Sequence, residues 1–231
     1  TFTGAVGAVN PLDSLLITST SDVTFANTLN ATSLTSTSSG DTQFDGIVTL
    51  TGSFDINTAT LDINAAINTT NNGTVTITNS GLADIGAAIT SEGNILFDGA
   101  GAINLSADLI TTDAGSSITV NASNITLTAG GINLTTNDGN ISIGGSISGD
   151  RDLTVTAGTG DLAFSTIDID TLNLVSADDA TLNASITTDT ALDFTNIDDI
   201  ILGANLTITA DNAGVAQNIT FDAGNLITGA F

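Results

Sequence analysis

Short segments in which aliphatic residues alternate with Thr, Asn, Asp or Ser run through the whole chain. Residues 74–78 (TVTIT), 153–156 (LTVT) and 206–209 (LTIT) are clear examples. A period of two is typical of a β-strand that buries one face, and Ile, Val, Leu and Thr suit a pleated, half-buried surface. Only residues 81–89 have a spacing that would also fit a helix. The pattern therefore predicts an all-β protein.

The spacing of these segments indicates how the strands are connected. Dipeptides that favour tight turns, such as Asn72-Gly73 and Asp98-Gly99, separate the short strands. Similar segments recur in steps of roughly 20 to 23 residues, which lie within the range of solenoid repeats. The segments begin at Val75, Ile95, Ile118, Ile141, Leu162 and Leu182.

These steps predict a parallel β-helix in which each coil buries its inner face by stacking on the next coil. About eleven coils at roughly 4.8 Å each would form a rod about 50 Å long. The residues between Leu192 and Ile219 are the least regular, and a loop or an elongated coil is expected there. Four Phe residues fall at the inward phase of their strands: Phe97, Phe164, Phe194 and Phe221.

A β-sandwich of hairpins is the alternative architecture, since it would also show alternation and turns. Three features favour the β-helix instead: many strands of only a few residues, no aromatic residue type other than Phe, and an Asn and Thr content suited to stacked ladders. We interpret residues 1–231 as one β-solenoid segment.

Charge excludes several classes of partner. The 231 residues include 25 acidic residues but only one basic residue, Arg151, and the formal net charge is -24. Nucleic-acid binding is excluded because it requires clustered Lys and Arg, and anionic membrane surfaces are disfavoured for the same reason. No segment approaches the roughly 18 apolar residues of a membrane helix, so no membrane insertion is predicted.

Catalytic residues are scarce in this composition. The chain has no His and no Cys, so no base is available to activate a Ser nucleophile. Asp178-Asp179 and Asp198-Asp199 offer paired carboxylates, as in carbohydrate-active β-helix enzymes, but they lack a supporting His or Lys and are interpreted as solvated bends. The chain is predicted to be a non-enzyme with no catalytic residues and no organic cofactor.

Calcium is the one cofactor that the composition favours, because it binds six to eight oxygen ligands. Oxygen-rich bends at residues 41–45, 137–140 and 150–152 are candidates, and Asp138, Asp150 and Asp152 are the predicted metal ligands. Carboxylates one coil apart in water repel by roughly 0.9 kcal/mol per pair, which a divalent cation would relieve. Diffuse screening by ions is the alternative. Thr-x-Thr segments such as residues 126–128 resemble ice-binding arrays, but their interval is not constant.

Three phrases in the sequence carry a family resemblance. They are residues 4–7 (GAVG) followed by 11–18 (PLDSLLIT), residues 139–149 (GNISIGGSISG) and residues 153–162 (LTVTAGTGDL). Together they resemble the repeats of filamentous-haemagglutinin-like giant surface proteins of bacteria. The resemblance implies a right-handed winding, export to the bacterial cell surface or the medium, and a structural or adhesive filament. Host or cell-surface glycans are candidate ligands of such a filament. The N-terminal secretion domain of such proteins is not seen.

Both ends of the sequence have the pattern of solenoid coil, and neither has an amphipathic capping helix. Unpaired strand edges at the end of a solenoid favour association. We therefore expect the segment to continue into neighbouring copies, covalently or by end-to-end or lateral self-association into fibres. Two other functions remain open at this point: a cation-dependent surface-layer component and a carbohydrate-active enzyme.

Overall fold

The computed structural model describes residues 1–222 and 226–229, and within those residues it contains strands, turns and bends but no helix. Most strands have three to six residues, and four are longer. The strands are β1 (Leu12–Ser19), β2 (Val23–Phe25), β3 (Leu29–Ser38), β4 (Asp41–Phe44), β5 (Val48–Leu50), β6 (Phe54–Thr58), β7 (Thr60–Ile63), β8 (Ile67–Thr69), β9 (Val75–Asn79), β10 (Ala83–Ile85), β11 (Ile89–Ser91), β12 (Ile95–Phe97), β13 (Ile103–Leu105), β14 (Leu109–Ala114), β15 (Ile118–Val120), β16 (Asn124–Leu127), β17 (Ile132–Asn137), β18 (Ile141–Ile143), β19 (Ser146–Thr156), β20 (Leu162–Phe164), β21 (Ile167–Leu182), β22 (Ile186–Thr188), β23 (Leu192–Asp193), β24 (Ile197–Leu202), β25 (Ile208–Asn212), β26 (Val215–Ala216), β27 (Ile219–Thr220) and β28 (Leu226–Thr228).

Most strands pair in parallel with a strand two to four places further along the chain. The pairs form three ladders: β5, β8, β11, β14 and β17 belong to the first, β6, β9, β12, β15 and β18 to the second, and β4, β7, β10, β13 and β16 to the third. The longer strands β3, β19 and β21 bend through a corner and take part in more than one ladder. This is the predicted parallel β-solenoid.

The second ladder gives the clearest measure of the coil. Its register is followed from Leu15 to Ile227 in about ten turns, where about eleven were predicted. Hydrogen bonds between successive turns join residues 19 positions apart near Asp41, 23 apart near Ser117 and 27 apart at Leu226. Because the corners and the last turn contain more residues than predicted, the chain forms about ten turns instead of about eleven. The predicted right-handed winding stays a prediction.

The core is a continuous column of aliphatic and Phe side chains that runs along the axis. Ile141, Phe97, Phe164 and Phe194 are buried as predicted. Phe221 stacks on Phe194 at a ring-centroid distance of 5.3 Å, as its inward phase predicts, but it is 39% exposed because it is the last described residue in its stack. A further stack, which the alternation did not predict, begins the core: the rings of Phe2, Phe25 and Phe44 lie 4.7 and 5.1 Å apart.

Buried hydroxyl groups line the corner between the first and second ladders. Thr69, Ser91, Thr111 and Thr136 point inward there, and all four are buried. The Thr69 and Ser91 hydroxyls both donate to the Gly73 carbonyl at 2.8 Å, and Thr111 donates to the Ser116 carbonyl at 2.7 Å. The Gly73 carbonyl also accepts the Gly93 amide at 2.9 Å. The inward hydroxyls therefore add hydrogen bonds to turn carbonyls that an aliphatic side chain could not provide.

The irregular region between Leu192 and Ile219 contains the one antiparallel pair among the described residues. β25 turns back on β26 through Ala213 and Gly214, which have φ angles of 50° and 85°. Two consecutive residues with positive φ are typical of the tight turn of a two-residue hairpin. The expectation of a loop or elongated coil is confirmed here, and the sandwich of hairpins is wrong for the rest of the described chain.

The inward assignment of Ile141 gives a direct test of the core. Ile141→Asp buries an unpaired charge and should lower the free energy of unfolding by at least about 3 kcal/mol. Ser142→Asp is the matched control, because Ser142 is the half-exposed neighbour on the same strand. Urea denaturation of both variants checks the prediction, and equal losses would contradict it.

The buried hydroxyls make a second prediction. Thr111→Val keeps the side-chain shape but leaves the Ser116 carbonyl without its donor, so unfolding should become easier by about 1 to 3 kcal/mol. Thr112→Val changes an exposed neighbour and should cost less than about 0.5 kcal/mol. Thermal denaturation compares the two, and a harmless Thr111→Val would mean that the hydroxyl is not needed at this corner.

Candidate functional site

An acidic surface of the described chain lies where β21 and β24 pair. Five carboxylates line one groove of about 510 Å³ together with Thr195 and Ile197. We call this feature the acidic groove, and its carboxylates belong to Asp178, Asp179, Asp198, Asp199 and Asp222.

Parallel register explains why these carboxylates meet. Asp179 stands directly opposite Asp199 in the next turn, so the spacing between their backbones is one strand separation of about 4.8 Å. Both residues precede inward aliphatic residues, Ala180 and Ile200, whose burial holds the two strands in this register. The Leu226 amide donates to Asp199 Oδ1 at 3.2 Å, which extends the contact into the following turn.

The electrostatics of the groove follow from this stacking. Partial burial raises the pKa of Asp179 above its ordinary value of 3.8, and the neighbouring charges of Asp178, Asp199 and Asp161 raise it further, while a backbone hydrogen bond from Asp199 lowers it. A second group of carboxylates lies around Asp62 in the third ladder. Burial is the main cause that raises the pKa of Asp62, and the charges of Asp41, Asp84 and Asp45 raise it further.

The predicted calcium ligands lie at two different corners of the coil. Asp138 follows β17 at the corner between the first and second ladders, with a φ of 62°, and its Oδ1 accepts the Thr159 amide at 3.0 Å. Asp150 and Asp152 flank Arg151 within β19, between the third and first ladders. The structure therefore does not bring Asp138 together with the other two.

Calcium binding by Asp138, Asp150 and Asp152 stays a prediction, because the three residues do not lie together. Within residues 1–222 and 226–229, no group of three or more His, Cys, Asp or Glu residues is arranged to hold a metal ion. In the candidate segment at residues 41–45, the carboxylates accept hydrogen bonds from neighbouring side chains. Asp41 accepts the Thr60 hydroxyl at 2.9 Å, and Asp45 accepts the Asn64 amide at 3.0 Å.

The prediction that the two Asp-Asp pairs are solvated bends is wrong about their secondary structure. Asp178 and Asp179 lie within β21, and Asp198 and Asp199 lie within β24. The signal that could have located the groove was the spacing of the pairs, which equals one coil. The Thr-x-Thr segments behave differently, because Thr49 and Thr126 belong to the first and third ladders and form no common array.

Comparisons with known proteins found no matching family model, no matching curated protein and no matching solved structure. None of the described segments forms a helix with the length and apolar character needed to cross a membrane. The candidate site is therefore defined by geometry and charge alone.

The raised pKa of Asp179 predicts the direction of a pH effect. The folded state holds this proton more tightly than the unfolded state, so its contribution to stability falls as pH rises from 3.8 through the folded-state pKa. Asp179→Asn removes the charge and should raise the melting temperature at pH 7. The gain should vanish below pH 3.8.

Asp168→Asn is the matched control for this experiment. Asp168 is exposed, and its register neighbours are the uncharged residues Ser148 and Thr187. A melting-temperature series from pH 3 to pH 7 compares the variants. An equal gain in both, or a gain of Asp179→Asn that persists at pH 3, would contradict repulsion in the acidic groove.

Proposed function

We propose that this chain is a non-catalytic structural or adhesive rod that forms part of an extracellular bacterial filament. The observation that carries the proposal is the unbroken buried column, which continues through about ten turns of parallel strands. Backbone hydrogen bonds and side-chain stacking act along the same axis in such a solenoid. A solenoid of this kind resists extension along its axis and keeps the groups at its two ends a fixed distance apart.

Apolar side chains in the last described turn support the proposal of association along the axis. Apolar side chains line an open surface there, and Phe221, Leu226 and Ile227 are 39%, 58% and 49% exposed. A further coil, from the same chain or from a second copy, would cover them and pair with β28. Contacts of this head-to-tail kind do not close on themselves and so generate filaments.

Surface chemistry supports a passive role outside the cell. The net charge of -24 keeps individual rods apart in solution. No His is present to act as a general base, and the exposed faces present mainly Thr, Asn, Ser and Asp. We therefore propose that the chain has no catalytic activity, and that host or cell-surface glycans are its candidate ligands.

A cation-dependent surface-layer component is the second candidate function, and the acidic groove favours it. Asp179 and Asp199 stand opposite each other, and the pKa of Asp179 is raised. Divalent cations would relieve this repulsion and could link the grooves of neighbouring rods. This function differs from the first in requiring metal for assembly.

Electron microscopy of the purified chain tests both functions. The protein is imaged at several concentrations, with 5 mM calcium (about the scale of weak extracellular sites) and with a chelator. Filaments in both conditions support the structural rod, and filaments or lattices only with calcium support the second function. Isolated rods under every condition would contradict filament formation by this segment.

A matched pair of variants shows whether an effect of calcium on assembly arises at the acidic groove. The first variant changes Asp178, Asp179, Asp198 and Asp199 to Asn and should abolish calcium-dependent assembly. The second makes the same charge change at the exposed residues Asp13, Asp55, Asp168 and Asp189 and should keep it. Equal behaviour would show that calcium acts by general screening.

A further inference from the structure

The middle of the core contains an internal cavity. About 10 Å³ of space there admits the centre of a water-sized sphere, and the surrounding surface is entirely apolar. Leu105, Val120 and Leu127 each keep 3% of their surface exposed to it, whereas inward residues of earlier turns, such as Ile63 and Val75, are 0% exposed. The residues that line the cavity run from Phe97 to Leu153, so this packing defect is confined to a few successive turns.

The cavity lies where the coil becomes wider. In β5, the first ladder has two inward residues, Val48 and Leu50, whereas β17 has three, Ile132, Leu134 and Thr136. Hydrogen bonds between turns join residues 25 positions apart at Asn133, compared with 19 at Asp41.

Large side chains do not compensate for this width. Phe25, Phe44 and Phe54 fill the narrower first turns and contact one another. Phe97 is the one aromatic residue in the wall of the cavity. Aliphatic side chains therefore reach toward the axis from three ladders without meeting across it, and a void remains.

Chemistry determines what this void can hold. Because the 10 Å³ is the space open to the centre of a water-sized sphere, the void itself is larger than one water molecule. A buried water requires two to four polar partners, and the wall offers none. Empty apolar cavities in proteins take up xenon or small hydrocarbons instead.

We propose that the cavity walled by Phe97, Leu105, Val120, Leu127 and Ile143 is a dry binding site for a single small apolar particle of about the size of xenon. The site is independent of the filament function. It also defines a position at which one additional methylene group improves the packing of the rod.

Val120→Ile tests the proposal by adding that methylene group. Val120 lies between Phe97 and Ile143 in the second ladder, and both neighbours line the cavity. Val75→Ile is the matched control, because Val75 lies between Phe54 and Ile95 in the same ladder but in a filled part of the core. Val120→Ile should raise the melting temperature by about 1 to 4 °C, whereas Val75→Ile should lower it through overpacking.

Xenon itself provides the second measurement. Methyl NMR spectra of the full chain are recorded under several atmospheres of xenon. Shifts should be confined to methyl groups of the wall, such as Leu105 and Leu127, and absent at Ile63 and Ile67. The apparent association should weaken at least tenfold in Val120→Ile and persist in Val75→Ile. An absence of shifts, shifts spread over the whole core, or equal melting-temperature losses in both variants would overturn the proposal.

Discussion

Hydrogen bonding between turns is the constraint on which the rest of this structure depends. Every strand of a coil needs a partner turn to satisfy its backbone groups, and parallel pairing places equivalent positions directly above one another. Inward aliphatic residues therefore stack on inward aliphatic residues, as Val75 does on Phe54 and Ile95. Stability is distributed over many such contacts between neighbouring turns.

The same stacking has a cost for charged residues. An Asp that is harmless on an isolated strand meets a second Asp when the next turn repeats the pattern, as Asp179 meets Asp199. The chain limits this cost elsewhere by alternating Asp with uncharged residues: Asp168 lies between Ser148 and Thr187. That alternation fails in the acidic groove and also in the third ladder, where Asp62 stands opposite Asp84, and both places are therefore expected to be sensitive to ions.

Much of the fold was predictable because two short-range signals agree. Alternation identified the inward residues, and the recurrence of similar segments placed Val75, Ile95, Ile118, Ile141 and Leu162 in one ladder. The sixth predicted member, Leu182, was displaced by two positions, because Ala180 pairs with Leu162. Both residues point inward, so alternation cannot distinguish a turn that is shorter by two residues.

The functional surface was less predictable because it depends on register across turns. Single Asp residues in turn-like sequences suggested calcium, yet Asp138 and Asp150 lie at different corners. The groove arose instead from pairs whose spacing equals the local length of the coil. That length varies from 18 residues between Leu162 and Ala180 to 27 between Asp199 and Leu226, so which side chains meet on the surface is known only once each turn is measured.

The variation in coil length is concentrated at the corners, and this has a consequence for how such a chain tolerates change. A residue inserted within a strand would turn every following side chain in that strand to the opposite face, whereas a residue inserted at a corner only lengthens a bend. The hairpin of β25 and β26 is an extreme case, since it interrupts a turn while β24 still pairs with β28 beyond it. Corners are therefore the sites at which foreign peptides could be grafted onto this scaffold without disturbing its axis.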